Sequence, residues 1–219
     1  MRFSYCFFDL DGTLTDPGTG ITNSVMYALR KFGITVEDRR TLYPFIGPPL
    51  LDSFRDRYGF SGPQSRLALE YYREYFRDRG IFENEVYDGI PGLLGELRDR
   101  GITVALATSK PYEFSVQILK HFGLSGYFDH VCGATMDESI SRKADVIALL
   151  LGRLGDIDRN SVLMVGDRDQ DIDGARANGL RSAGVLWGYG SEEELRSAGA
   201  DYLVRGPEEL LEVITAEET

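Results

Sequence analysis

The 219-residue chain is poor in the soft metal ligands: it holds two histidines and two cysteines, and none of them stands at the spacing of a zinc-ligand cluster. Cys6 and Cys132 both stand in apolar, strand-like runs, which reads as two buried free thiols and not as a disulfide. His121 and His130 join no ligand cluster and read as structural or surface residues. No apolar run approaches the roughly 18 residues of a membrane span, and Met1-Arg2-Phe3-Ser4 lacks the apolar stretch of a signal peptide, so a cytoplasmic protein without a membrane partner is expected. Positive charge is also short. Basic residues number 24 against 35 acidic ones, a net charge of -11, and such a surface repels a nucleic-acid polymer. Neither a Gly-x-x-x-x-Gly-Lys loop nor a Gly-x-Gly-x-x-Gly turn after a strand is present, which argues against a nucleotide-driven kinase or a dinucleotide enzyme.

What the chain does have is apolar material. With 42% hydrophobic and 11% aromatic residues it can bury a full core, and its length suits one domain plus a sizeable insertion. Short, nearly continuous apolar runs predict strands at Tyr5–Phe8, Thr103–Ala107, His130–Cys132, Val162–Val165, Ala183–Leu186 and Tyr202–Val204. Helical patterns fill the gaps from Gly92 onward and end in an amphipathic segment, Pro207–Glu218. The class is α/β, a doubly wound, Rossmann-like parallel sheet. More than ninety residues separate the first two strands, far beyond an ordinary connection. Ile21–Phe32, Pro49–Tyr58 and Gln64–Arg79 carry helical spacing, so residues 17–87 read as an inserted all-helical cap, with 1–16 and 88–219 as the α/β core. Asp16-Pro17-Gly18 and Asp88-Gly89-Ile90-Pro91-Gly92 read as its hinges.

The first strand runs into Asp9-Leu10-Asp11-Gly12-Thr13, where period-two geometry sets both carboxylates on one side of the chain. Two close carboxylates repel unless a cation lies between them or one holds a donatable proton. A second acidic turn, Gly166-Asp167-Arg168-Asp169-Gln170-Asp171, also follows a buried strand. In an open parallel sheet ligands bind beyond the carboxyl ends of the strands, so the two acidic ends can converge on one ion. Hard oxygen donors suit Mg²⁺. A calcium loop counted back from Gly12 would need an acid where Phe7 stands. A third strand ends in Thr108-Ser109-Lys110-Pro111 and leads into a helix; a hydroxyl there either meets a phosphoryl oxygen or caps the helix. In Ser141-Arg142-Lys143-Ala144-Asp145, cations begin a helix, against the dipole, which points to an anion nearby. Lys143, leading into the apolar pattern, is the inward candidate, with Arg142 as the alternative. These parts suffice for phosphoryl transfer.

Taken in order, the motifs resemble those of the haloacid dehalogenase superfamily, in its phosphatase branch with a helical (C1-type) cap after the first motif. Asp9-Leu10-Asp11-Gly12-Thr13-Leu14 matches the first motif, Thr108 with Ser109-Lys110 the second, Lys143 the third, and Gly166-Asp167 with Asp171 the fourth. The third is the loosest, since many relatives carry Lys-Pro-x-Pro where this chain has Ser-Arg-Lys-Ala-Asp. The resemblance implies an aspartyl-phosphate mechanism. Asp9 would be the nucleophile and Asp11 the acid and base. Mg²⁺ would be held by Asp9, the Asp11 backbone oxygen and Asp167. Thr108, Ser109 and Lys143 would face the phosphoryl group, with Asp171 behind them orienting Lys143 or a metal-bound water.

Segments 166–172 and 184–191 are similar to bacterial 5′-nucleotidases, and the wider neighbourhood is phosphoglycolate phosphatase-like. The expected substrate is therefore a small phosphorylated metabolite such as a nucleoside 5′-monophosphate, with 2-phosphoglycolate or a sugar phosphate as alternatives. In the cap, Tyr43, Phe45, Arg73, Tyr75 and Arg77 are either leaving-group contacts or part of the cap's own packing. A phosphosugar mutase and a non-catalytic binding relative are the competing classes, although intact Asp9 and Asp11 speak against the second.

Overall fold

The computed structural model describes residues 2–216. In chain order it contains β1 (Tyr5–Phe8), β2 (Thr15–Asp16), α1 (Gly18–Lys31), α2 (Leu50–Tyr58), α3 (Gly62–Tyr75), β3 (Glu85–Val86), α4 (Ile90–Asp99), β4 (Thr103–Pro111), α5 (Tyr112–His121), β5 (His130–Ala134), α6 (Lys143–Leu154), β6 (Val162–Gly166), α7 (Asp169–Ala177), β7 (Arg181–Val185), α8 (Glu192–Ala198), β8 (Tyr202–Val204) and α9 (Pro207–Thr215). Two compact units result, Met1–Thr15 with Val86–Thr219 and Asp16–Glu85. The short strands β2 and β3 pair where the chain passes from one unit to the other, so each crossing falls one or two residues before the expected boundary.

In the larger unit six parallel strands lie in the order β5-β4-β1-β6-β7-β8. From β1 the chain moves outward on one side through β4 and β5, then returns to build β6, β7 and β8 on the other. The strand order therefore reverses beside β1, the place where open α/β sheets form their sites. The fold is the doubly wound α/β sheet expected. Central strands are apolar on both faces: Cys6, Phe7 and Phe8 on β1 and all of β6 are buried. Phe7, Met164, Ala105 and Cys132 pack against Val146, Ile147 and Leu150 of α6, forming one core face. Both cysteines are buried free thiols, and burial pushes both pKa values up.

Several boundaries differ from the sequence reading. β4 runs through Pro111, with its register shifted between Thr108 and Pro111, and α5 starts only at Tyr112 with Pro111 in the cap position. Neither Thr108 nor Ser109 caps that helix. β5 extends to Ala134, and β7 begins at Arg181, two residues earlier than expected, where Ser182 N–H is held by Asp201 at 2.8 Å. α9 ends at Thr215, and Glu217 and Glu218 of the expected terminal helix lie outside the described residues. Among the described residues no helix is long and apolar enough to cross a membrane.

The smaller unit is helical apart from its share of β2 and β3. Gly59, with φ 66°, closes α2 in the left-handed region that a side chain disfavours. Ser61 then opens α3, its backbone N–H donating to Gln64 Oε1 at 2.9 Å, so α3 begins two residues before the expected Gln64. A widened π turn, Phe76–Gly80, follows α3, and a 3₁₀ segment at Arg39–Phe45 was not apparent from periodicity. The unit's core is aromatic. Phe45 lies against Phe54 and Tyr58 with centroids 5.2 and 6.0 Å apart, and Phe54 stacks on Phe60 at 5.9 Å.

Candidate active site

β1 delivers the first two carboxylates. Asp9 N–H donates to Val165 O at 2.9 Å, which prolongs the β1–β6 ladder by one rung and fixes where the Asp9 side chain leaves the sheet. The chain then turns through Gly12, at φ 85°, and a Cβ built there would lie 2.2 Å from Asp167 Oδ2. Only glycine fits, because both the backbone conformation and the space exclude a side chain. Asp167 follows β6 directly and is fully buried. It accepts from Thr13 Oγ1 at 3.2 Å and from Tyr189 N–H at 2.8 Å. The loop after β7 is pinned as well, since Trp187 Nε1 donates to Thr13 O at 3.0 Å.

Lys143 opens α6 and turns inward, 5% exposed, whereas the neighbouring Arg142 is exposed in the cap position. The start of α6 thus turns Lys143, and not Arg142, inward. Lys143 Nζ pairs with Asp9 Oδ1 at 2.6 Å and Asp171 Oδ1 at 2.8 Å, and donates to Ala107 O at 3.0 Å. Those two carboxylate oxygens are close ionic partners but lack aligned hydrogen-bond geometry. The other oxygen of Asp171, Oδ2, accepts from Arg168 N–H at 3.0 Å and so closes the first turn of α7. Burial would lower the pKa of the Lys143 ammonium, but Asp171 and Asp9 reverse this and carry it to about 12. The ammonium therefore stays charged.

Thr108 is buried, and its Oγ1 accepts from Lys110 N–H at 3.2 Å. Ser109 is half-buried, with its Oγ buried and lacking a hydrogen-bond partner. Sequence reasoning named Lys110 only as part of a motif and gave it no role. In the structure Lys110 Nζ is buried and ion-paired with Asp11 Oδ2, while Asp11 Oδ1 has no hydrogen-bond partner. Burial raises the Asp11 pKa, with Lys110 opposing the rise. Thr13 and the Tyr189 backbone were also missed as partners of Asp167. The signal for the loop was the spacing Gly188-Tyr189-Gly190: a Cβ at Gly188 would lie 2.4 Å from Asp167 Cβ, and one at Gly190 only 1.9 Å from Asp167 O.

The charges do not balance without a further cation. Asp9, Asp167 and Asp171 each offer an oxygen within 4.8 Å of the others, all three are buried, and Lys143 is the only ammonium paired with any of them among the described residues. Fully ionised, the cluster is two positive charges short. A divalent cation matches that deficit, and an all-carboxylate donor set suits Mg²⁺. In the protein alone, burial pushes the Asp167 pKa well up and that of Asp171 to about 6, as the same shortage of positive charge requires.

The sheet order, the paired acidic turns and the inward lysine define a hydrolase of the haloacid dehalogenase type. The family model for haloacid dehalogenase-like hydrolases matches residues 6–185, and the chain belongs to that family. It is 45% identical over 197 residues to a 5′-nucleotidase of Pseudomonas aeruginosa, spanning 90% of this chain and 89% of that one. It is 40% identical over 183 residues to the tyrosine-protein kinase PtkA of Mycobacterium tuberculosis, covering 84% of this chain and 62% of PtkA. The crystal structure of a predicted phosphatase from Clostridium acetobutylicum superposes with a TM-score of 0.95 at 48% identity, covering 98% of this chain and 99% of that one. Within the family the chain is an enzyme of the phosphatase kind.

In the helical unit, Phe45 is 1% exposed and belongs to the aromatic core, so it is not available as a leaving-group contact. Tyr75 is half-buried, lies beside Tyr27 with centroids 5.7 Å apart and donates to Glu83 at 3.0 Å. Tyr43 and Arg77 are exposed and Arg73 is half-buried.

Proposed function

We propose that the protein is a Mg²⁺-dependent phosphomonoesterase that works through an aspartyl-phosphate at Asp9, with nucleoside 5′-monophosphates as its preferred substrates. The observation that carries this reading is the buried cluster of Asp9, Asp167 and Asp171 around a single ammonium. Asp9 and Asp167, with the backbone oxygen of Asp11, would hold the metal, which supplies a positive charge that binds phosphoryl oxygens and offsets the charge developing on them. Lys143 fixes the Asp9 carboxylate and offsets its charge while Asp9 attacks phosphorus. As the Asp9–phosphorus bond forms, the bond to the leaving oxygen breaks and Asp11 gives that oxygen a proton. Asp11 then takes a proton from the water that attacks phosphorus, which releases phosphate and restores Asp9. Thr108 and Ser109 contribute hydroxyls toward the phosphoryl group, and Asp171 keeps Lys143 in place. The buried free thiols accord with a reducing, cytoplasmic setting.

The nucleotide preference is supported by the 45% identity to the Pseudomonas aeruginosa 5′-nucleotidase. Phosphate release from nucleoside 5′-monophosphates, 2-phosphoglycolate, hexose phosphates and phosphotyrosine, each with Mg²⁺ and with EDTA, tests it. Chelator-sensitive release concentrated on the nucleotides is expected. Release concentrated on 2-phosphoglycolate or a sugar phosphate would overturn the substrate and keep the chemistry, and no release from folded protein would overturn both.

A further inference from the structure

Among the described residues two basic side chains are buried, Lys143 and Lys110, and the chemistry above employs only the first. A buried ammonium is tolerated only where a partner answers its charge, and Lys110 has that partner in Asp11 Oδ2. The fold takes unusual care to bring it there. β4 leaves its regular register with β5 between Thr108 and Pro111, a departure of the kind that re-aims side chains at strand ends. On β5, Gly133 lies so close that a Cβ would stand 2.7 Å from Lys110 O, so a side chain at residue 133 would push the Lys110 backbone away. The consequence falls on Asp11. One of its oxygens is tied to the ammonium, and the other, Oδ1, is buried with no hydrogen-bond partner.

We propose that Lys110 is a positioning residue for Asp11: by holding Oδ2 it fixes the rotation of the carboxyl group and leaves Oδ1 as the atom that exchanges the proton. This rests on the reading of Asp11 as acid and base. In the first half-reaction the proton passes from Asp11 Oδ1 to the leaving oxygen, which keeps the electron pair of the broken phosphorus–oxygen bond while the Asp9–phosphorus bond forms. A carboxyl free to rotate would spend part of its time with neither oxygen in line. The loss would fall on esters whose leaving group needs the proton and would spare those whose leaving group departs as a stable anion.

Single-turnover leaving-group release, with enzyme in excess and Mg²⁺ present, reads the first half-reaction alone. For Lys110→Met we expect release from an alkyl phosphate, a nucleoside 5′-monophosphate, to slow on the order of 100-fold, the range of a general-acid contribution, and release from p-nitrophenyl phosphate to slow less than about fivefold. Equal losses on both esters, or no loss on either, would overturn the proposal. Asp11→Asn is the control for the underlying reading. If it shows no preference between the two esters, the acid role of Asp11 fails and the role of Lys110 with it; if it is selective and Lys110→Met is not, only the inference about Lys110 fails. Should Lys110→Met not fold, Lys110→Met in the Asp11→Asn background leaves no lone buried charge of this pair. There the added change should alter alkyl-ester release less than about twofold, because a residue acting through another is silent once that other is gone. A further large loss in that background would contradict the proposal.

Discussion

Lys143 Nζ lies 2.6 Å from Asp9 Oδ1, joining the start of α6 to the end of β1 across the top of the sheet. The same ammonium reaches Asp171 Oδ1 at 2.8 Å, so one cation separates two buried carboxylates that would otherwise repel. Its removal exposes that repulsion. Lys143→Met should cost about 3–5 kcal/mol of stability, the range for breaking one side of a buried ion pair, and should abolish turnover. Exposed Arg142 provides the contrast: Arg142→Ala should change stability by no more than about 0.5 kcal/mol. Urea unfolding of the two variants with phosphate release beside it checks both; equal effects would mean that the helix start, not the inward ammonium, matters.

The acidic cluster makes stability depend on pH and on metal together. Burial raises the pKa of Asp167 well above, and that of Asp171 to about 6 from, the ordinary 3.8. A carboxyl whose folded pKa is raised contributes stability that is complete below the unfolded value and is lost as pH rises through the folded one. For Asp171 in the metal-free protein that window runs from 3.8 to about 6, and for Asp167 it opens at the same point and extends upward. A divalent cation binds the deprotonated forms and offsets the loss. The stabilisation by Mg²⁺ over EDTA, read as the gain in thermal midpoint, should thus be larger at about pH 7.5 than at about pH 5; at a hundred times the dissociation constant it corresponds to about 2.7 kcal/mol of free energy. An equal or smaller gain at the higher pH would count against the cluster as the metal site.

Both acidic turns were legible in the sequence because a carboxylate directly after a fully buried strand is expensive and has few explanations. The strands carrying them were legible for the same reason, as continuous apolar runs. The choice between Arg142 and Lys143 was harder: Arg142 is the extended cap residue and Lys143 the first helical one, and only the exact start of α6 sets which of the two faces in. Lys110 was not readable as a partner of Asp11. That contact depends on β4 lying beside β1 and on a register shift at Thr108–Pro111 that no periodicity announces. Helical spacing could not divide the cap aromatics between core and site, because both uses place rings on the same apolar stripe.

Phe45 gives that last point a test. It is packed between Phe54 and Tyr58 inside the helical unit, so Phe45→Ala should behave as a core truncation and cost about 3–5 kcal/mol. The rank order of substrates in a phosphate-release panel should stay as it is. A changed order without loss of stability would return Phe45 to the leaving-group side.

Asp9 carries the central claim, since the proposed chemistry begins with its attack on phosphorus. The most direct measurement is steady-state phosphate release by Asp9→Asn in Mg²⁺ buffer, on protein whose circular dichroism matches the parent. The amide keeps the size of the side chain and removes its charge and nucleophilicity, so release should fall to background while the protein stays folded. Turnover near that of the parent would contradict the aspartyl-phosphate account and leave the buried carboxylates with a role other than covalent catalysis.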